Sequence, residues 1–339
     1  MSPIGGNRGV LARALALREQ GRPFALALVT DTEGSTYRKP GALALVADDG
    51  ERFGAISGGC PEPALDALAR EVLASDRIGV AVFDTRGEDD LVFGSGSGCR
   101  GRMRVLAWPI TSAPRPLFDA LVAAHAAGVA LELALVVDAG DAGRGLAWRA
   151  DDDHFGGEDA LAESLRTAPD GLHTWEDTTF ARLRIAPSPR LLLLGAGPEA
   201  PMLLQLARTL GWFTDVADHR PALLDPLRLG DADSRHESRP AAFLSTLAQA
   251  PDAALVMTHL ASTDLEALGA LAQAAVPYVG LLGPPGRRDE LLAQLPPRQR
   301  DALRPRLHAP VGLPLGGEGP EAIALAIAAD LQRHFNTRR

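Results

Sequence analysis

The apolar positions along the chain fall into short continuous runs and helical repeats, punctuated by glycine. From Val10 to Gln20 apolar residues recur at helical spacing and stop at Gly21, which predicts a helix. Phe24 to Val29 is an apolar run of strand length. The loop Gly34-Ser35-Thr36-Tyr37-Arg38-Lys39-Pro40-Gly41 leads to a second strand, Ala42 to Ala47, and a turn at Asp48-Asp49-Gly50. Ser57-Gly58-Gly59-Cys60-Pro61-Glu62 then opens a helix that reaches Ala74. Further strands are predicted at Val80 to Asp84, Met103 to Trp108, Ala130 to Val137, Gly145 to Arg149 and Thr179 to Ile185, with a helix at Leu117 to Ala127.

Ala186-Pro187-Ser188-Pro189 marks a linker, because two prolines remove backbone donors and stiffen the join. Beyond it the pattern alternates: strand Arg190 to Leu194, helix Met202 to Leu210, strand Thr214 to Ala217, strand Ala253 to Thr258, helix Leu265 to Ala274, strand Tyr278 to Leu282, and a last helix from Glu321 to Phe335. Continuous apolar strands separated by helices predict a parallel sheet covered on both faces. The expected fold is therefore α/β, with an N-terminal mixed α/β domain at 1–187 and a C-terminal Rossmann-like doubly wound parallel sheet at 188–339.

Gly195-x-Gly197-x-x-Ala200 follows a strand and precedes a helix, and Asp218 ends the next strand, so Gly195, Gly197 and Asp218 match a dinucleotide fingerprint. His259 follows a later strand at the edge where such sheets bind ligands. Two features oppose a bound phosphate: Pro198 has no N–H to offer, and Glu199 brings negative charge to the same turn. Two readings stay open, a domain that binds a dinucleotide and one that has kept the fold but lost or changed its ligand.

Composition narrows the partners. A net charge of -9 and the lack of clustered Lys and Arg give no footprint for nucleic acid. No run of roughly 20 uncharged apolar residues spans a bilayer, and the N-terminus has no signal-type core, so a cytoplasmic location away from membranes is expected. The two cysteines, Cys60 and Cys99, are then thiols. With Pro61 behind it, Cys60 falls at or next to a helix N-cap, where the dipole favours a nucleophilic or metal-binding thiolate; a small buried residue in a tight turn is the alternative. Cys99 sits in a second stripped loop, Gly94-Ser95-Gly96-Ser97-Gly98-Cys99-Arg100-Gly101. Gly58 and Gly59 would let a bulky ligand approach backbone amides, the glycines about Gly98 mark either an unusual turn or a ligand surface, and in the loop of Gly34 and Ser35 Arg38 is either an anion clamp or a solvated loop residue.

These loops resemble those of the XdhC/CoxI family of xanthine dehydrogenase accessory proteins. The matching stretches run in order: Gly34 to Ala42, Gly54 to Glu62, Gly98-Cys99, Leu193 to Gly197, Asp218-His219-Arg220, Met257-Thr258-His259, Tyr278 to Gly283 and Leu307 to Leu313. The resemblance implies a maturation factor, not a turnover enzyme. It would hold molybdenum cofactor (molybdopterin), support its sulfuration with a cysteine desulfurase, and pass it to an apo-molybdenum hydroxylase. Cys60 would contact the metal or its sulfur, Cys99 would assist, and Glu62, in the same motif as Cys60, is the third candidate catalytic residue. Pro198, Arg100 and Pro284-Pro285 depart from the family pattern. An NAD(P)-dependent oxidoreductase with His259 as its acid or base, and a divergent non-catalytic paralogue, are the competing readings; a homodimer is an open assembly.

Overall fold

A computed structural model of the chain describes residues 2–59, 61–86, 100–137, 144–149, 154–155 and 159–337, with the backbone alone at 154–155 and 159–162. The chain divides into two compact units: Gly5–Ser188, and Pro189–Arg339 joined by Met1–Ile4. The N-terminal residues go with the second unit because Ser2 N and Oγ donate to Asp231 at 2.6 and 3.0 Å, while Arg208 Nε donates to Ser2 O at 2.6 Å.

The first unit contains two five-stranded antiparallel sheets. The first has helices α1 (Gly6–Glu19) and α2 (Glu62–Ser75) and strands β1 (Phe24–Gly34), β2 (Leu43–Ala47), β3 (Arg52–Phe53), β4 (Gly79–Asp84) and β5 (Gly101–Ile110), in the order β3-β2-β1-β5-β4. The second has helices α3 (Pro116–Ala127) and α4 (Asp159–Arg166) and strands β6 (Leu131–Val136), β7 (Gly145–Arg149), β8 (His154–Phe155), β9 (Gly171–Trp175) and β10 (Thr178–Ile185), in the order β8-β7-β6-β10-β9.

One core serves both sheets: Leu26, Leu28 and Trp108 from the first meet Leu133, Leu135 and Leu183 from the second, together with α1 and α3. Alternation along each strand sends the other set of side chains outward, and α2 covers that face of the first sheet with Leu65, Ala69 and Val72. Helix α1 buries Val10, Leu11, Ala14 and Leu17, one face of a 3.6-residue repeat. It stops at Gly21, whose φ of +68° suits glycine, and the Arg22 N–H returns to Leu17 O at 2.9 Å. Trp108 is fully buried and meets Phe118 edge-to-face at 6.3 Å, and Phe118 meets Phe24 the same way at 5.9 Å. Each such pair adds about 0.5–1.5 kcal/mol to the burial itself.

The second unit is a six-stranded sheet, parallel throughout, with β11 (Arg190–Leu194), β12 (Phe213–Asp218), β13 (Ser234–Glu237), β14 (Ala253–Val256), β15 (Tyr278–Leu281) and β16 (Leu307–His308) in the order β13-β12-β11-β14-β15-β16. That order is the doubly wound Rossmann arrangement expected from the alternation of apolar runs and helices. Helices α5 (Ala200–Thr209), α6 (Pro240–Leu244), α7 (Ala261–Leu271), α8 (Pro285–Gln294), α9 (Pro297–Leu303) and α10 (Pro320–Thr337) accompany it. Successive residues of β11 feed opposite cores: Leu191 and Leu193 pack with α5 and α10, Leu192 and Leu194 with α7. Leu191 to Leu194 must all be apolar for that reason. Tyr278, at the start of β15, donates its hydroxyl to Asp330 of α10 at 2.8 Å, so burial and this carboxylate together push its pKa well up.

Candidate functional site

Strands β1 and β5 stay paired to their ends, where Gly34 faces Gly101. Gly34 has φ of +69°, and a Cβ there would come within 2.6 Å of Arg100 O, the carbonyl that accepts the Ser35 N–H at 3.2 Å. A Cβ on Gly101 would overlap Ser35 O and stand 2.7 Å from Thr36 Cγ2. Thr85, just past β4, donates both its N–H and its hydroxyl to Gly101 O at 2.9 Å. The fold thus brings Gly34 and Ser35 against Arg100, the chain neighbour of Cys99; Cys99 and Gly98 themselves lie outside the described residues.

Charges line the same ends of the strands. Arg104 pairs with Asp31 at 2.5 Å, and Arg102 reaches Glu33 at 3.0 Å and Asp31 at 3.4 Å. Arg86 hydrogen-bonds Asp84 and holds that carboxyl down to about 2. Arg38 is half-buried, and its carbonyl accepts the Thr36 hydroxyl at 2.9 Å.

The turn before α2 is braced by the side chain of Glu62. Ser57 Oγ donates to Glu62 Oε1 at 3.1 Å and accepts the Gly59 N–H at 3.1 Å, while Arg52 Nη1 donates to Glu62 Oε2 at 2.8 Å. Glu62, a candidate catalytic residue by sequence, is thereby tied to both Ser57 and Arg52. Pro61 is the N-cap and Cys60 precedes it by one residue; Cys60 lies outside the described residues. Beside Gly58 and Gly59 the space a Cβ would take is open, with no described atom within 4 Å.

In the second unit the residues of the fingerprint converge at the carboxyl ends of β11, β12 and β14. Gly195, at φ +109°, lies so close to β14 that a Cβ would stand 2.5 Å from Met257 O. Asp218 is 2% exposed. Its carboxylate accepts four bonds: Ala196 N–H and Arg220 Nη2 on Oδ2 at 2.9 and 2.7 Å, and Arg220 N and Nε on Oδ1, both at 2.9 Å. Burial works to raise this carboxyl, but the bonds from Arg220 and Ala196 outweigh it and the net shift is downward. With about four lone-pair positions filled, Asp218 has no acceptor left for a ribose hydroxyl while Arg220 stays in place.

Gly197 has a different reason to be glycine. A Cβ there would overlap His259 Nε2 and lie 2.8 Å from Glu199 Oε2. In a dinucleotide site that absent side chain admits the pyrophosphate. Here the chain's own histidine and glutamate occupy the notch. His259 adopts φ of +63°, a region residues with a Cβ seldom enter, and such local strain concentrates at functional positions. Glu199 is 7% exposed, and its Oε2 has no hydrogen-bond partner among the described residues. The two groups stand 3.6 Å apart, beyond a hydrogen bond. Both border a cavity of about 460 Å³ that Arg287 of α8 also lines. Sequence reasoning placed His259 here but missed Arg287 and its holder, Asp264 of α7; an arginine in the helix after β15 and an aspartate in the first turn after His259 were the available signals.

Among the described residues no group of three or more His, Cys, Asp or Glu is placed to hold a metal ion, and no helix is long and apolar enough to cross a membrane.

Residues 191–331 match the family described as the XdhC Rossmann domain, and residues 17–84 match the XdhC and CoxI family. A Bacillus subtilis protein named as a probable xanthine dehydrogenase subunit is 33% identical over 323 residues, covering 93% of this chain and 94% of that one. An uncharacterized Escherichia coli protein, YqeB, is 33% identical over 147 residues, 42% of this chain and 27% of its own. A crystal structure described as a xanthine dehydrogenase from Bacillus halodurans superposes with a TM-score of 0.81 at 30% identity, covering 100% of this chain and 97% of that one. With a relative this similar from end to end and both halves matched in order, the chain belongs to the XdhC and CoxI family.

Proposed function

We propose that the chain is an accessory protein of a xanthine dehydrogenase-type molybdenum hydroxylase: it receives molybdenum cofactor as cargo, supports its sulfuration and passes it to the apo-enzyme. The observation that carries this reading is the near full-length similarity to a protein named for xanthine dehydrogenase. The geometry weighs against the competing nicotinamide oxidoreductase. Asp218 is saturated by the chain's own donors, and the glycine notch that would take a pyrophosphate is filled by His259 and Glu199.

The cargo would bind at the glycine loops of the first unit. Cys60 supplies a soft sulfur donor suited to a sulfur-ligated molybdenum, Cys99 assists, and a cysteine desulfurase is the partner that provides sulfur. Open space beside Gly58 and Gly59 leaves their backbone accessible to an anionic pterin phosphate. Glu62, tied to Ser57 and Arg52, braces the turn that reaches Gly59, the chain neighbour of Cys60.

The test is cofactor retention. Protein purified from a molybdate-fed host is oxidised and assayed for fluorescent pterin and for molybdenum. Wild type is expected to carry both. Cys60→Ser is expected to lose most of each with an unchanged thermal midpoint, and Cys99→Ser to lose less. Equal retention and equal client activation by Cys60→Ser refutes the assignment. Submicromolar NAD(H) binding by calorimetry restores the oxidoreductase.

A further inference from the structure

Strand β16 is two residues long, so one side chain can decide whether it stays docked. Leu307 and His308 pair with Val279 and Gly280 of β15, at the outer edge of the six-stranded sheet. Leu307 packs with the core on the α7 side. The chain before the strand is strapped down, because Arg306 donates to the carbonyls of Leu271, Ala272, Ala274 and Val276 where α7 ends. The chain after it has lighter ties: Arg288 Nη1 donates to Ala309 O, Val311 N–H to Leu281 O and Leu313 N–H to Ala326 O, each at 3.1 Å. Pro310 and Val311 of this segment form part of the wall of the cavity of about 460 Å³.

The half-buried His308 imidazole lies flat against the Tyr278 ring, with centroids 3.9 Å apart and planes 12° from parallel. Tyr278 is a fixed platform, fully buried and with its hydroxyl donated to Asp330. The charges on α10 already pair with each other, since Asp330 Oδ1 accepts Arg333 Nη2 at 2.8 Å. His334 of the same helix stands edge-on, 6.3 Å from His308. Toward α8, Arg288 is tied to Asp289 and to Ala309 O, while Arg306 is turned to the α7 carbonyls. An imidazolium formed here would lose water without gaining a carboxylate of its own among the described residues. Burial outweighs the attraction of Asp330, and Arg333 opposes protonation as well, so the pKa of His308 lies below its ordinary 6.5.

We propose that His308 is an acid-released latch: neutral, it holds β16 and the segment after it against β15 and α10, and protonated, it lets them go. A histidine whose docked form resists the proton contributes fully above the free value of 6.5, and the contribution is lost as pH falls from there through the lowered value. Because Pro310 and Val311 follow directly, release of the strand also releases that part of the cavity wall, so access to the cavity becomes pH-dependent. The latch belongs to the second unit and does not depend on the accessory role.

The experiment is hydrogen exchange on the full-length protein at about pH 7.5 and about pH 5.5, either side of the free imidazole value, with rates corrected for the intrinsic effect of pH. Uptake of one proton on opening changes the opening constant by at most about tenfold per pH unit. The Val311 and Leu313 amides are therefore expected to lose about three- to tenfold in protection at the lower pH, while the Met257 amide, bonded to Leu194 O at the centre of the sheet, keeps its own. His308→Phe keeps a ring for Tyr278 to stack on and cannot take up a proton, so its protection should be the same at both pH values. If that variant does not fold, His308→Gln, also uncharged throughout, should likewise show no pH step. The proposal is overturned if wild type is equally protected at both pH values, if a folded variant keeps the acid loss, or if Met257 loses protection in the same proportion as Val311.

Discussion

Two glycines of one fingerprint should respond oppositely to the same substitution. At Gly195 an alanine must adopt φ of +109° and place its Cβ 2.5 Å from Met257 O and 2.8 Å from Thr258 Cα. Both neighbours are backbone at the end of β14, which cannot rotate away. Strained backbone costs about 1–3 kcal/mol, and forcing apart a packed contact costs about 1–3 kcal/mol more. A combined loss near 4 kcal/mol would lower the unfolding midpoint of the second unit by about 8–16 °C. At Gly197 the backbone lies outside the left-handed region, and the obstacles are the ends of two side chains, His259 and Glu199. Moving them off their rotamers costs about 0.5–1.5 kcal/mol, offset by about 0.4–1 kcal/mol from a less flexible unfolded chain. Gly197→Ala should therefore fold within about 1 kcal/mol of wild type while displacing His259. Scanning calorimetry with urea titration separates the cases. Equal destabilisation by both variants, or a Gly195→Ala protein as stable as wild type, would refute the reasoning.

Asp218→Asn should cost about 1.5–3 kcal/mol at neutral pH, the value of hydrogen bonds to a charged group. Because the folded pKa of Asp218 is lowered, its contribution is present above the unfolded value of 3.8 and is lost as pH falls through the folded value. Urea midpoints measured at pH 7 and pH 3 should therefore differ less for the Asn variant than for wild type. Trp108→Ala should remove about 3–5 kcal/mol from the first unit by leaving a cavity beside Phe118; near-UV circular dichroism through a denaturant series reads the loss.

The parts of the fold that were legible in the sequence are those where one residue type answers one physical need. Arg190–Leu194 was readable to the residue because a strand covered on both faces must be apolar throughout. β13 was not, since Ser234-Arg235-His236-Glu237 is an edge strand whose side chains are half-buried or exposed, a composition indistinguishable from a loop. Helices α8 and α9 start at prolines and carry polar faces, so their periodicity is weak. The candidate site was legible as a set of loops and residues but not as a constellation. Glu199 reads in sequence as a charge that repels phosphate, and His259 as a lone histidine. Their shared place over Gly197 depends on where β14 ends relative to β11, a long-range register that local pattern does not encode. Asp218 was placed correctly at its strand end, but its saturation by Arg220 needed the turn geometry.

The facing pair Gly34 and Gly101 has a consequence for how the first-unit loops tolerate change. Each lacks a Cβ because the other loop's carbonyl lies where it would be, Arg100 O for Gly34 and Ser35 O for Gly101. A substitution at either position must part the same two strand ends, and once they have parted the second substitution meets less resistance. Damage from the pair should therefore be smaller than the sum of the single losses, as expected for residues in contact. The loop after β1 and Arg100, at the entry to β5, would then vary together, so that a change on one strand is felt as a change in the tolerance of its neighbour.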